Sequence, residues 1–141
     1  MQSSERCRNA IMQWEGLRTA IYNDANGFPT VGYGHKLTTY ELAQHAYADG
    51  ITTGQAVILF DEDAAVVDKQ VEALEPGYWS QGQFDALVSF TYNMGISRTK
   101  RLLSHGLAQV PNQLPLWVHA GTKILPGLVT RRKAEIEWWN S

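Results

Sequence analysis

A single cysteine, Cys7, stands among 141 residues, so no internal disulfide can form, and neither a thiolate zinc site nor a dithiol redox motif can be assembled. Long apolar runs are missing as well. The longest are about five residues, and the opening MQSSERCRNAIMQ mixes charges into its apolar positions, so neither a transmembrane span nor the apolar core of a secretory signal is expected. The expectation is a chain made in the cytoplasm, without stable membrane association. Internal repeats, low-complexity tracts and linkers are also lacking, which leaves one continuous fold over 1–141. With 44% hydrophobic and 11% aromatic residues, that fold can bury a core of its own.

The net charge of −2 hides an uneven distribution. Residues 37–95 hold nine acids against the single base Lys69. Residues 96–134 carry Arg98, Lys100, Arg101, Lys123, Arg131, Arg132 and Lys133 and no acid. Two readings follow: solvated faces of opposite sign, or a basic surface that attracts a polyanion. No nucleic-acid recognition motif accompanies the cations, so nucleic acid is not an expected partner. His45, His105 and His119 share no ligand spacing with one another or with nearby acids, and no metal or cofactor is expected.

Helix signals dominate. Residues 4–14 read as a short helix with Ile11 and Trp14 on its apolar side. Thr38/Glu41, Thr52/Gln55 and Ser80/Gln83 each have the spacing of a capping box, which places three helix starts. Pro76-Gly77 closes the longest helix, 53–74, and a last helix over 127–139 ends in Trp138-Trp139, whose large apolar areas lock it onto the core. Between the first two helices the period changes. Leu17, Ala20, Ile21 and Tyr22 are followed by the turn formers Asn23-Asp24-Ala25-Asn26-Gly27 and then by Thr30-Val31-Gly32-Tyr33-Gly34, two strands joined by a polar turn. The predicted class is α+β, mostly helical.

Two carboxylates stand out from those spread along the helices. Glu15 closes the first helix and Asp24 sits in the hairpin turn, with a returning strand between them. Glycoside hydrolysis needs an acid to protonate the leaving oxygen and a second carboxylate to attack or to activate water, so two carboxylates from different elements facing one groove are its minimum equipment. Trp14 and Leu17 flank Glu15 with apolar surface, which favours its protonated form, whereas Asp24 in a solvated turn stays ionised. The Thr30 hydroxyl on the returning strand can hold a water beside Asp24. Gly32 and Gly34, two apart, are expected to leave one face of that strand open to a ligand. An ordinary polar hairpin carrying a surface Glu and Asp fits the spacing as well.

The run WEGLRTAIYNDANGFPTVGYGH, with E-x8-D-x5-T, resembles the catalytic signature of phage-type lysozymes, glycoside hydrolase family 24. QFDALVSFTYNMG at 83–95 and WVHAGTKILPGLVTRRKAE at 117–135 are similar to that family's central helical block and C-terminal tryptophan, loop and arginine-rich helix. The resemblance implies a lysozyme-like α+β fold with lobes over 12–52 and 75–141 joined by helix 53–74. It implies an endolysin, a muramidase that cuts the β-1,4 bond between N-acetylmuramic acid and N-acetylglucosamine in peptidoglycan with inversion, causing host cell lysis. Glu15 would be the general acid, with Asp24 and Thr30 holding the water. Gly32, Lys36, Tyr92 and Asn93 become glycan-contact candidates, and His35 pairs structurally with Asp63. A monomer acting on the periplasmic wall after a holin permeabilises the membrane is the expected biology. Departures fall between Gly95 and Trp117, where Pro111 and Pro115 interrupt a shortened helical stretch and leave the glycan contacts of that side open. A lytic transglycosylase, which makes anhydro products, a chitinase or chitosanase with a related lobe arrangement, and a silent wall-binding or structural module that keeps the fold without the chemistry are the competing readings.

Overall fold

The computed structural model describes residues 1–141. In chain order it contains α1 (Glu5–Glu15), β1 (Arg18–Asn23), β2 (Pro29–Gly32), β3 (His35–Lys36), α2 (Thr39–Ala43), α3 (Thr53–Glu72), α4 (Gln81–Met94), α5 (Ile96–Leu103), α6 (Val110–Gln113), β4 (His119–Ala120), β5 (Lys123–Ile124) and α7 (Pro126–Asn140). The α+β class with helices dominant is as expected. Contacts divide the chain into two compact units, Ala10–Asp63 in one and Met1–Asn9 with Ala64–Ser141 in the other, so the divisions fall inside α1 and α3.

In the unit Ala10–Asp63, the strands form one antiparallel sheet in the order β1-β2-β3. Tyr22 pairs with Thr30 and Asn23 with Pro29, while Thr30 and Val31 pair on their other side with Lys36 and His35. The third strand is only two residues long, too short to be legible as period-2 alternation. Val31, Leu37 and Leu59 make the buried core, with Tyr47 and Ile51 packed against it. The capping box at Thr38 forms in both directions: the Thr38 hydroxyl accepts from the Glu41 N–H, and the Thr38 N–H donates to the Glu41 carboxylate. Helix α2 nevertheless stops at Ala43, and the turns that follow place His45 and Tyr47 at positive φ, a costly conformation for side chains of this size. The Thr52/Gln55 box opens α3 in the same reciprocal way.

In the other unit, α4 starts at the Ser80/Gln83 capping box and is buried from Gly82 to Thr91, apart from Gln83. Gly82 has no side chain because a Cβ there would run into the Trp138 carbonyl of α7. Phe84, Leu87, Val88 and Phe90 are fully buried, each stabilising by about 1.5–3 kcal/mol relative to exposure. Trp138 and Trp139 are buried as expected. Two buried carboxylates hold the N-terminal segment. Asp85 accepts from the Ser4 N–H and hydroxyl, and Asp68 accepts from the Ser3 N–H and the Arg8 guanidinium. Cys7 is buried beside Asp85, and burial pushes its thiol far above the usual range, consistent with a small apolar filler. Pro111 and Pro115 sit at the first positions of short helical turns, where a missing N–H is tolerated, so they start these pieces rather than merely interrupt them. No helix is long and apolar enough to cross a membrane.

The arginine-rich stretch differs from both sequence readings of it. Arg131 and Arg132 belong neither to a solvated face nor to a basic surface open to a polyanion; they are 3% and 1% exposed. Arg131 donates to the hydroxyl and carbonyl of Ser89 on α4. Only Lys133 of the three stays exposed, along with Arg98, Lys100, Arg101 and Lys123.

Candidate active site

Glu15 is the last residue of α1 and is half-buried, whereas Leu17 beside it is 39% exposed, a thinner apolar cover than the sequence suggested. Backbone approaches Glu15 closely at Gly34. A Cβ built on Gly34 would stand 2.5 Å from the Glu15 Oε1 and 3.0 Å from its carboxyl carbon. Gly34 lies at φ +77°, so both its conformation and its neighbour require glycine.

Asp24 organises its own loop. Its Oδ1 accepts from the N–H groups of Asn26 and Phe28, each at 2.9 Å, and its backbone N–H donates to the Phe28 carbonyl. The second oxygen, Oδ2, faces the Lys36 ammonium at 3.7 Å. Lys36 is exposed and lies 5.4 Å from the centre of the Phe28 ring, so the residue nominated as a glycan contact is also the cation beside Asp24. Thr30, opposite Tyr22 in the sheet, is 2% exposed, and its hydroxyl donates to the Phe28 carbonyl at 2.9 Å. With its proton committed, the oxygen of Thr30 retains acceptor capacity only, a narrower role than the donor-and-acceptor one read from the sequence.

Gly32 does not share an open face with Gly34. It is buried, and a Cβ on it would meet the side chains of Ala56 and Ile51 at 3.5 Å. The turn through Tyr33-Gly34 breaks the strand alternation that the shared face assumed, and the positive φ of Gly32 serves that turn.

His35 sits between two acids. Its Nδ1 is 2.8 Å from Asp63 Oδ2, and its Nε2 is 2.9 Å from Glu41 Oε1. The hydrogen bond with Asp63 is the main reason that its pKa rises to about 9, against the opposing effect of burial and with further help from the charge of Asp63 and from Glu41. For Glu41, burial alone would raise the carboxyl, but the Thr38 N–H, His35 and Tyr47 outweigh it and hold the group below its ordinary value. Sequence reasoning identified Glu41 as a capping residue and missed this second task. The Tyr47 ring packs edge-on to His35, with centroids 6.1 Å apart. Tyr22 also belongs to this neighbourhood: burial raises its phenol, Glu15 and Asp24 push the same way, and Arg18, 4.2 Å above its ring, opposes them.

Tyr92 and Asn93 lie near the end of α4, in the other unit, and both are half-buried. Asn93 Oδ1 accepts from Arg132 Nη2 at 2.8 Å. The Arg132 guanidinium also lies 2.6 Å from Glu135 Oε1, 3.4 Å from the Trp117 carbonyl and 4.9 Å from the centre of the Phe90 ring. Glu135 is 0% exposed, and burial pushes its carboxyl up to about 7 against the pull of Arg132 and Arg131. The i,i+3 spacing of Arg132 and Glu135 was visible in RRKAE, but nothing local marks the pair as buried.

A family model described as phage lysozyme matches residues 12–135. An endolysin of Bacillus phage PZA is 36% identical over 150 residues, covering 100% of this chain and 56% of that protein. An endolysin of Bacillus phage B103 is 32% identical, covering 96% of this chain and 52% of its own length. The chain thus spans about half the length of these relatives. Among solved structures, the muramidase domain of SpmX from Asticaccaulis excentricus superposes with a TM-score of 0.77 at 26% identity, covering 99% of this chain and 98% of that one.

Proposed function

The chain belongs to the phage lysozyme family, and from that membership we propose that it is an endolysin-type muramidase which hydrolyses the β-1,4 bond between N-acetylmuramic acid and N-acetylglucosamine in peptidoglycan. The observation that carries this reading is the arrangement of one structural unit around Glu15 and Asp24. Glu15 is a half-buried carboxyl under the Gly34 backbone, and Asp24 is a carboxylate with one oxygen committed to its loop and the other directed to a cation.

Glu15 delivers its proton to the glycosidic oxygen as the bond to the anomeric carbon breaks. A water held by Asp24 Oδ2 and by the acceptor lone pairs of Thr30 attacks that carbon from the opposite face, and Asp24 takes the proton that the water loses. The outcome is inversion, for which carboxyl groups about 6.5–9.5 Å apart are required. Lys36, Tyr92 and Asn93 contact the glycan in this reading. Gly32 acts through the turn rather than through the ligand. The protein works as a monomer on the cell wall and reaches it through a lesion made by a holin; both statements rest on the family relation.

Mass spectrometry of purified peptidoglycan digested with wild type and with Glu15→Gln tests the proposal. Reducing muropeptides from wild type and none from the variant are expected. Anhydro products would mean a transglycosylase and remove the water-holding role of Asp24 and Thr30. No products from either protein would leave a wall-binding module.

A further inference from the structure

Resting on the peptidoglycan reading, we propose that the buried Arg132–Glu135 pair is a positioning device for Asn93, which it holds as a hydrogen-bond donor to the N-acetyl or hydroxyl oxygens of the glycan. An asparagine amide presents an acceptor at one end and a donor at the other, and its terminal torsion lets the two exchange. A guanidinium only donates. With Arg132 Nη2 at 2.8 Å, only the Oδ1 end of Asn93 can face it, because the flipped amide would set donor against donor. The Nδ2 end is then the group left to a ligand, and Asn93 is only half-buried.

Arg132 is itself immobilised. Glu135 at 2.6 Å, the Trp117 carbonyl and the Phe90 ring fix its plane, with 1% of the residue exposed. An ion pair in such a place is a poor stabiliser, since apolar side chains of similar volume commonly do as well or better. Orientation of Asn93 accounts for its presence where stability does not. The pair touches no substrate in this scheme; its whole effect passes through Asn93.

The test measures calorimetric binding of soluble, peptide-free glycan strands to the full-length Glu15→Gln protein, which does not turn them over, and KM and kcat of the corresponding proteins with Glu15 intact. Arg132→Met/Glu135→Leu removes both charges together and is expected to keep the melting temperature at or above that of the parent. Affinity falls about five- to tenfold, the scale of one lost hydrogen bond, KM rises to match and kcat changes little. Asn93→Ala produces the same loss and adds nothing to the double substitution. Asn93→Asp retains the acceptor for Arg132 but deletes the donor, and loses as much affinity while remaining folded. Parental affinity in the folded double variant, or in Asn93→Asp, overturns the inference and leaves the muramidase reading standing. A Glu15→Gln protein that binds no strands, together with a wild type that releases no reducing ends, overturns that reading and the inference with it.

Discussion

The carboxyl of Glu15 and the Cα of Gly34 are packed so closely that a methyl group on Gly34 would stand 2.5 Å from Glu15 Oε1. The end of α1 and the β2–β3 turn are therefore one unit of geometry, and the turn decides where the proposed acid points.

Gly34→Ala should be damaging out of proportion to its size. The positive φ costs a non-glycine residue about 1–2 kcal/mol, which a thermal melt will register. Displacement of Glu15 by the new methyl group should cut turnover on purified peptidoglycan by about a hundredfold, the scale of an ångström-level misplacement. A variant that melts lower yet keeps wild-type turnover would show that the contact does not orient the acid.

Substitutions at Asp24 separate charge from loop geometry. Asn keeps an oxygen able to accept from Asn26 and Phe28, so Asp24→Asn should melt close to wild type while hydrolysis falls by about a hundredfold to ten-thousandfold. Asp24→Ala loses both acceptor bonds and should melt lower as well. Equal melting of the two would mean that these bonds contribute nothing to the loop.

At Thr30 the methyl and the hydroxyl make different predictions. Thr30→Ser keeps the hydrogen bond to the Phe28 carbonyl and should remain active. Thr30→Val removes the hydroxyl at a buried position and leaves the Phe28 carbonyl with the Asp24 N–H as its one remaining donor, a destabilisation of about 0.5–1.5 kcal/mol alongside the loss of the water-holding oxygen. Chemical denaturation and rate measurements on the two variants check both halves.

His35 sets a pH window. Its pKa is about 9 in the folded chain against an ordinary 6.5, so the folded state binds this proton more tightly than the unfolded chain does. The stabilisation is fully present below about 6.5 and is lost as pH rises through about 9. Asp63→Asn removes the strongest cause and should lower the melting temperature at pH 6 and flatten its decline between those limits. An unchanged melting profile, with an unchanged His35 titration by NMR, would mean that the 2.8 Å contact carries no coupling.

The helix starts at Thr38, Thr52 and Ser80 were legible because a capping box is closed within four residues, and each sequence therefore carries its own evidence. The motif of Glu15, Asp24 and Thr30 is local in the same sense, since it lies on one short stretch of sequence, and it carried the resemblance to the family. Family and α+β class followed from those local patterns.

Tertiary structure alone decided which charges are buried and whom they face. Arg131 and Arg132 read as surface cations because side-chain chemistry favours water, and only packing of α7 on α4 puts Ser89 and Asn93 within their reach, across 42 and 39 residues of sequence. Glu41 was a helix cap until the fold also brought His35 to its carboxylate. Gly32 and Gly34 are alike in sequence, yet the turn sends one against Ala56 and the other against Glu15. Local hydrogen bonds are encoded where they form, whereas the burial of a charge depends on partners that the chain must first fold to meet.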